Sequence, residues 1–133
     1  MKIAIDTSVL FSILKSETDG KAWLEALIRE RKSGASLVFC SVVYAELAPV
    51  MPDQATLMQT LEGLGITNEH LTEAAAWKAG ETLRVYRENG GPRTHLVPDF
   101  LIASHALVQC DALAALDRGY LRTYFPKVKL LRK

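Results

Sequence analysis

Four carboxylates stand out by the company they keep: Asp6, Glu46, Asp99 and Asp117. Asp6 closes the apolar run Lys2-Ile3-Ala4-Ile5 and is followed by two hydroxyls, Thr7 and Ser8. Glu46 sits in Val42-Val43-Tyr44-Ala45-Glu46-Leu47, Asp99 in Pro98-Asp99-Phe100-Leu101-Ile102, and Asp117 follows the run Leu113 to Leu116. An isolated carboxylate is costly to bury, so acids in such surroundings need partners. Several sharing one site repel and raise one another's pKa unless a cation neutralises them. Hard oxygen donors select Mg²⁺ or Mn²⁺, with water completing the coordination. An ion held this way can activate water and offset charge developing on a phosphodiester. Each acid alone has an ordinary explanation, since Asp99 and Asp117 cap helices readily. It is the four together that argue for a site.

The elements that would bring them together alternate between strand and helix. Short apolar runs at Lys2 to Ile5, Ser36 to Cys40, Leu64 to Thr67 and Leu113 to Leu116 read as buried strands, with Val128 to Leu131 an edge strand. Between them, helical patterns run over Ser8 to Leu14, Gly20 to Lys32, Val42 to Ala48 (with Ser41 as N-cap and Pro49 as stop), Pro52 to Leu61, and Glu69 to Asn89. Asn89-Gly90-Gly91-Pro92 ends the long helix, and Pro98 opens another, which continues from Asp99 to Val108. This order predicts an α/β fold, a three-layer α/β/α arrangement around a mainly parallel sheet, with residues 1–133 forming one domain. Ligands bind beyond the carboxyl ends of strands in such sheets, and if the strands are parallel neighbours all four acids project toward that edge.

Composition is that of an ordinary globular protein: 133 residues, half of them apolar, with a net charge of +1. No run approaches the roughly 20 apolar residues of a membrane span, and the start of the chain resembles no signal peptide, so a cytoplasmic protein is expected. Cys40 and Cys110 have apolar neighbours and read as two buried, reduced thiols. No CxxC or HxxxH spacing suggests a zinc site. Charge is unevenly distributed, because Arg118, Arg122, Lys127, Lys129, Arg132 and Lys133 follow Asp117 with no acid among them. Such a tail is a solvated end or a polyanion contact.

Asp6-Thr7-Ser8-Val9-Leu10 resembles the opening motif of PIN-domain ribonucleases. Ser41-Val42-Val43-Tyr44-Ala45-Glu46-Leu47 is similar to their second motif, Pro98-Asp99-Phe100-Leu101-Ile102-Ala103-Ser104-His105-Ala106 to the third, and Asp117-Arg118-Gly119-Tyr120 to the fourth. Order, spacing and length resemble the VapC toxins of toxin–antitoxin modules from first strand to last. The resemblance implies a Mg²⁺- or Mn²⁺-dependent endoribonuclease acting on tRNA or rRNA, dimeric, and inhibited by a cognate antitoxin. It implies metal-binding and catalytic roles for Asp6, Glu46, Asp99 and Asp117, and a supporting hydroxyl at Ser8. One position departs from the pattern: many relatives carry Thr two residues before the fourth acid, and this chain has Ala115.

Arg93 and Arg118 are candidates for holding RNA through its phosphates, with a solvated loop and a salt bridge as their respective rivals. His105 lies about 120° around the helix from Asp99, which favours a packed or hydrogen-bonded side chain over a general base. His95 reads as exposed and His70 as a helix-start residue. Trp23 and Trp77 suit core or interface positions better than base stacking. Phe11, Ile13, Leu14, Val50 and Met51 would form a partner or dimer surface if exposed. Two other functions fit less well. One is a catalytically weak domain of this fold that binds RNA or protein, favoured by Ala115. The other is a phosphatase with an aspartyl nucleophile, disfavoured because Ser8 stands where its second Asp belongs.

Overall fold

A computed structural model describes residues 1–92, 96–116 and 119–133. Arg93, His95, Asp117 and Arg118 lie outside the described residues. The first apolar run forms β1 (Lys2–Ile5), and Ile3, Ala4 and Ile5 are all buried. This strand is covered on both sides by neighbours, β2 (Ser36–Phe39) and β4 (Ala112–Ala114), and β3 (Ile66–Asn68) lies beyond β2. Order across the sheet is β3-β2-β1-β4, and every pairing is parallel. Beyond β4 the chain returns as a single parallel bridge, Leu113 to Leu130, where an edge strand was expected.

Among the described residues, seven α-helices connect and flank these strands: α1 (Thr7–Leu14), α2 (Thr18–Lys32), α3 (Ser41–Leu47), α4 (Gln54–Leu64), α5 (Glu73–Glu88), α6 (Leu96–Gln109) and α7 (Gly119–Tyr124). Right-handed crossovers carry the helices between β1 and β3 over one face. The connection from β3 to β4 runs in the reverse direction, so α5 and α6 cover the other face. Within the layers, α1 packs on α2 and α5 on α6. The α1–α2 approach is close enough to need glycine, since a Cβ on Gly20 would sit 2.1 Å from the Ser12 carbonyl oxygen. No helix among the described residues is long and apolar enough to cross a membrane.

Several boundaries differ from the sequence pattern for local reasons. Cys40, not Ser41, is the extended N-cap of α3, and Ser41 is the first helical residue. α4 starts later than expected because the Asp53 carboxylate accepts from the Thr56 N–H at 2.7 Å. α5 begins at Glu73, four residues after the expected Glu69, because the Thr72 hydroxyl caps it by accepting from the Ala75 N–H. α6 begins two residues before Pro98, which the first turn accommodates because its N–H groups have no intrahelical partners. β4 ends at Ala114, so Asp117 is three residues beyond the strand. Trp23 is buried in the core, whereas Trp77 stands 72% exposed on α5.

Candidate active site

Strand order reverses between β1 and β4, and the crevice at such a point, past the carboxyl ends, is where doubly wound sheets bind ligands. Asp6 occupies it. Its N–H donates to the Ala114 carbonyl at 2.9 Å, tying the end of β1 to the end of β4. Asp6 is 6% exposed and is the N-cap of α1. Its Oδ2 accepts from the Ser8 N–H at 3.2 Å and from the Ser8 hydroxyl, and no described residue donates to its Oδ1. Ser8 also receives the Leu116 N–H at 3.3 Å through Oγ. One side chain thus links the Asp6 carboxylate to the backbone that leads into Asp117.

Glu46 reaches the same corner from α3. The hydroxyl of Thr7, a buried residue beside Asp6, donates to Glu46 Oε1 at 2.7 Å, and Oε2 accepts from no described residue. Asp99 arrives from the other layer. α6 ends two residues before β4, so it runs antiparallel to that strand, and its first turn, which holds Asp99, lies at the carboxyl edge. The neighbouring Phe100 is fully buried and anchors that turn. Its ring meets Tyr86 of α5 at 5.5 Å, Tyr120 of α7 at 5.7 Å and Phe125 at 5.1 Å. The structure links Asp6 and Glu46 through Thr7 and puts the Asp99 turn toward the same edge, without bringing the three carboxylates into one cluster among the described residues; Asp117, Arg118 and Arg93 lie outside those residues. An apolar recess of about 540 Å³, lined in part by Phe39, Tyr44, Met58 and Ile66, lies near the ends of β2 and β3. Asp6, Glu46 and Asp99 do not line it.

Asp6 and Glu46 each have one oxygen held by a hydroxyl and another that no described residue engages. That all-oxygen donor set suits a hard divalent cation. Thr7 was not singled out from the sequence as a site residue. Its signal was the hydroxyl directly after the strand-ending acid. His105 stays away from this corner: it is 1% exposed, and its Nε2 is 2.9 Å from Glu69 Oε1.

The sequence profile of the PIN domain matches residues 3–126. The chain belongs to the PIN-domain family. Comparison with curated proteins gave no match. Solved structures of similar fold include a chain of VapBC2 from Rickettsia felis bound to a DNA fragment from their promoter, with a TM-score of 0.71 and 19% identity. That alignment covers 98% of each chain. A chain of VapBC-1 from nontypeable Haemophilus influenzae aligns with a TM-score of 0.70 at 20% identity, covering 98% of this chain and 97% of the other. One from FitAcB of Neisseria gonorrhoeae gives 0.63 at 20%, covering 98% and 96%. In this PIN domain Ala115 is buried and supplies no hydroxyl, and the hydrogen bond from Leu116 to Ser8 holds the backbone beside it.

Proposed function

We propose that this PIN domain is a divalent-metal-dependent endoribonuclease, the VapC-like toxin of a toxin–antitoxin module. The tether between Asp6 and Glu46 through Thr7, at the point where strand order reverses, carries the reading. Asp6, Glu46, Asp99 and Asp117 would hold Mg²⁺ or Mn²⁺. When bound, the ion supplies a Lewis acid that makes water more acidic and offsets charge on a phosphodiester. The protein's own part is positional. Ser8 and Thr7 each fix one carboxylate oxygen and leave the other toward the edge, so little reorganisation is needed on binding. One of the four carboxylates accepts a proton from the attacking water. Attack at phosphorus expels the 3′ oxygen and leaves a 5′ phosphate. Arg118, Arg93 and the basic C-terminal segment hold the RNA, with tRNA or rRNA as targets. The VapBC names of the similar structures support a cognate antitoxin as partner, and the family resemblance supports a homodimer.

Incubating the purified protein with total tRNA and rRNA, with Mn²⁺, Mg²⁺ or EDTA, tests this. The expected result is discrete 5′-phosphorylated fragments with metal and none with EDTA. RNA binding without fragments would leave the catalytically weak module, which Ala115 favours. Cleavage undiminished by EDTA would refute the metal-dependent reading.

A further inference from the structure

Away from the acidic corner, three side chains of metal-ligating type meet: Glu69 beyond β3, His105 on α6, and Cys110 at the turn into β4. Cys110 is at the amino end of β4, where the adjacent Asp111 N–H donates to the Lys2 carbonyl at 2.8 Å. Asp6 stands at the opposite end of β1. His105 Nε2 is 2.9 Å from Glu69 Oε1, Cys110 Sγ is 3.8 Å from the same oxygen, and Sγ is 3.9 Å from Nε2. A tetrahedral zinc ion with ordinary bond lengths sets such ligand pairs about 3.3–3.6 Å apart, so each separation is within about 0.4 Å of a zinc face. Lys2 pairs with the other Glu69 oxygen, while Oε1 faces His105 and Cys110 and also accepts from Gln109 Nε2 at 3.4 Å.

We propose that Glu69, His105 and Cys110 form a second metal site, selective for a borderline-soft divalent cation such as Zn²⁺ over Mg²⁺. Sulfur and imidazole donors set that preference. Once the thiol has lost its proton, the carboxylate and the thiolate together offset a divalent ion in a half-buried place, with the Lys2 ammonium still paired to the far carboxylate oxygen. Binding must move two protons, and burial holds the first of them, with the Cys110 thiol pKa pushed up to about 12. The Cys110 thiol gives its proton to solvent, and the imidazole proton moves from Nε2 to Nδ1. His105 Nδ1 is buried without a described partner, and the Nε2 bond to Glu69 that holds the metal-free tautomer is the one an ion at Nε2 would replace. Glu69 and Cys110 are only partly buried, which gives an ion a way in and water a place as fourth ligand. The ligands are 36 and 41 residues apart, counted from Glu69, so the ion would clamp the exit of β3 to the α6–β4 turn.

The test uses the full chain, stripped with chelator and titrated with Co²⁺ and with Zn²⁺. One equivalent of Co²⁺ should produce a thiolate-to-cobalt charge-transfer band, and Zn²⁺ should displace it and raise the melting temperature where Mg²⁺ does not. Cys110→Ser should abolish the band and weaken binding by more than about tenfold, with RNA cleavage in Mg²⁺ unchanged. Asp6→Asn should keep the band. No band, or a band lost in Asp6→Asn and kept in Cys110→Ser, overturns the site. Should Cys110→Ser not fold, alkylation of the wild-type protein decides, because Cys40 is 1% exposed and Cys110 is the accessible thiol. Zn²⁺ must slow that reaction, and equal rates with and without Zn²⁺ refute the proposal.

Discussion

Replacing Asp6 separates its structural duty from its charge. Its carboxylate caps α1 by accepting from the Ser8 N–H, and the same oxygen receives the Ser8 hydroxyl. Asn keeps an oxygen in that place and ranks with Asp as a cap, so Asp6→Asn should change stability by no more than about 0.5 kcal/mol. Asp6→Ala removes the cap at about 1 kcal/mol and leaves the Ser8 hydroxyl proton without its acceptor, about another 1 kcal/mol. For a domain of this size about 2 kcal/mol lowers the melting temperature by roughly 7 °C, against roughly 2 °C or less for Asn. Activity should not follow stability. An amide cannot neutralise a divalent cation, so both variants should lose more than about 100-fold in RNA cleavage, beyond the usual cost of disturbing an outer partner. Scanning calorimetry and a fluorogenic RNA substrate in Mn²⁺ measure the two effects on the same preparations. Asn melting as early as Ala would refute the cap geometry, and Asn cutting at the wild-type rate would refute the role of the charge.

Three further outcomes are expected. Thr7→Val removes the donor to Glu46 Oε1 and should reduce RNA cleavage by about 10–100-fold with the fold intact, read from initial rates across a metal titration. Unchanged metal dependence would show that Thr7 does not position Glu46. Gly20→Ala drives a methyl into the Ser12 carbonyl and should destabilise the protein by about 2 kcal/mol or more, seen as a lower urea midpoint. An unaltered midpoint would refute the close α1–α2 approach. In chelator-treated protein, burial holds His105 below its ordinary pKa of 6.5, outweighing the hydrogen bond to Glu69 that raises it. The unfolded chain then takes a proton near pH 6.5 that the folded one refuses. This contribution to stability is present above that pH and is lost as pH falls through the folded value, by at most about 1.4 kcal/mol per pH unit. Burial raises the Glu69 pKa, but hydrogen bonds from Lys2 and His105 together outweigh it and leave it lowered, so a second loss begins below its ordinary 4.5. Urea melts from pH 7.5 to 4 should show the upper part of this slope in wild type and not in His105→Gln.

The acidic corner was legible because each of its parts is local. A four-residue apolar run ending in Asp6 marks both a strand and its exit, and Pro98-Asp99 marks the first turn of a helix, so the alternation of elements predicts the same edge for both acids. Thr7 escaped notice as a site residue because its partner Glu46 is 39 residues away, and only the packing of α3 beside α1 brings them together. Glu69 misled for the opposite reason. It is a good helix former directly ahead of an amphipathic run, and nothing near it in sequence shows that Lys2, His105 and Gln109 claim its carboxylate. Chemistry that rests on consecutive residues at strand ends can be read from the chain. Chemistry assembled by side chains from four separate elements cannot, and the absence of CxxC or HxxxH spacing was therefore no guide to whether His105 and Cys110 would meet. The two proposed sites should answer to different cations for the same physical reason. Carboxylates at the strand exits offer only hard oxygen, whereas the α6–β4 turn brings sulfur and nitrogen to one carboxylate. A Zn²⁺ titration that alters the melting temperature through Cys110, and a Mg²⁺ titration that alters cleavage through Asp6, should therefore be independent of one another.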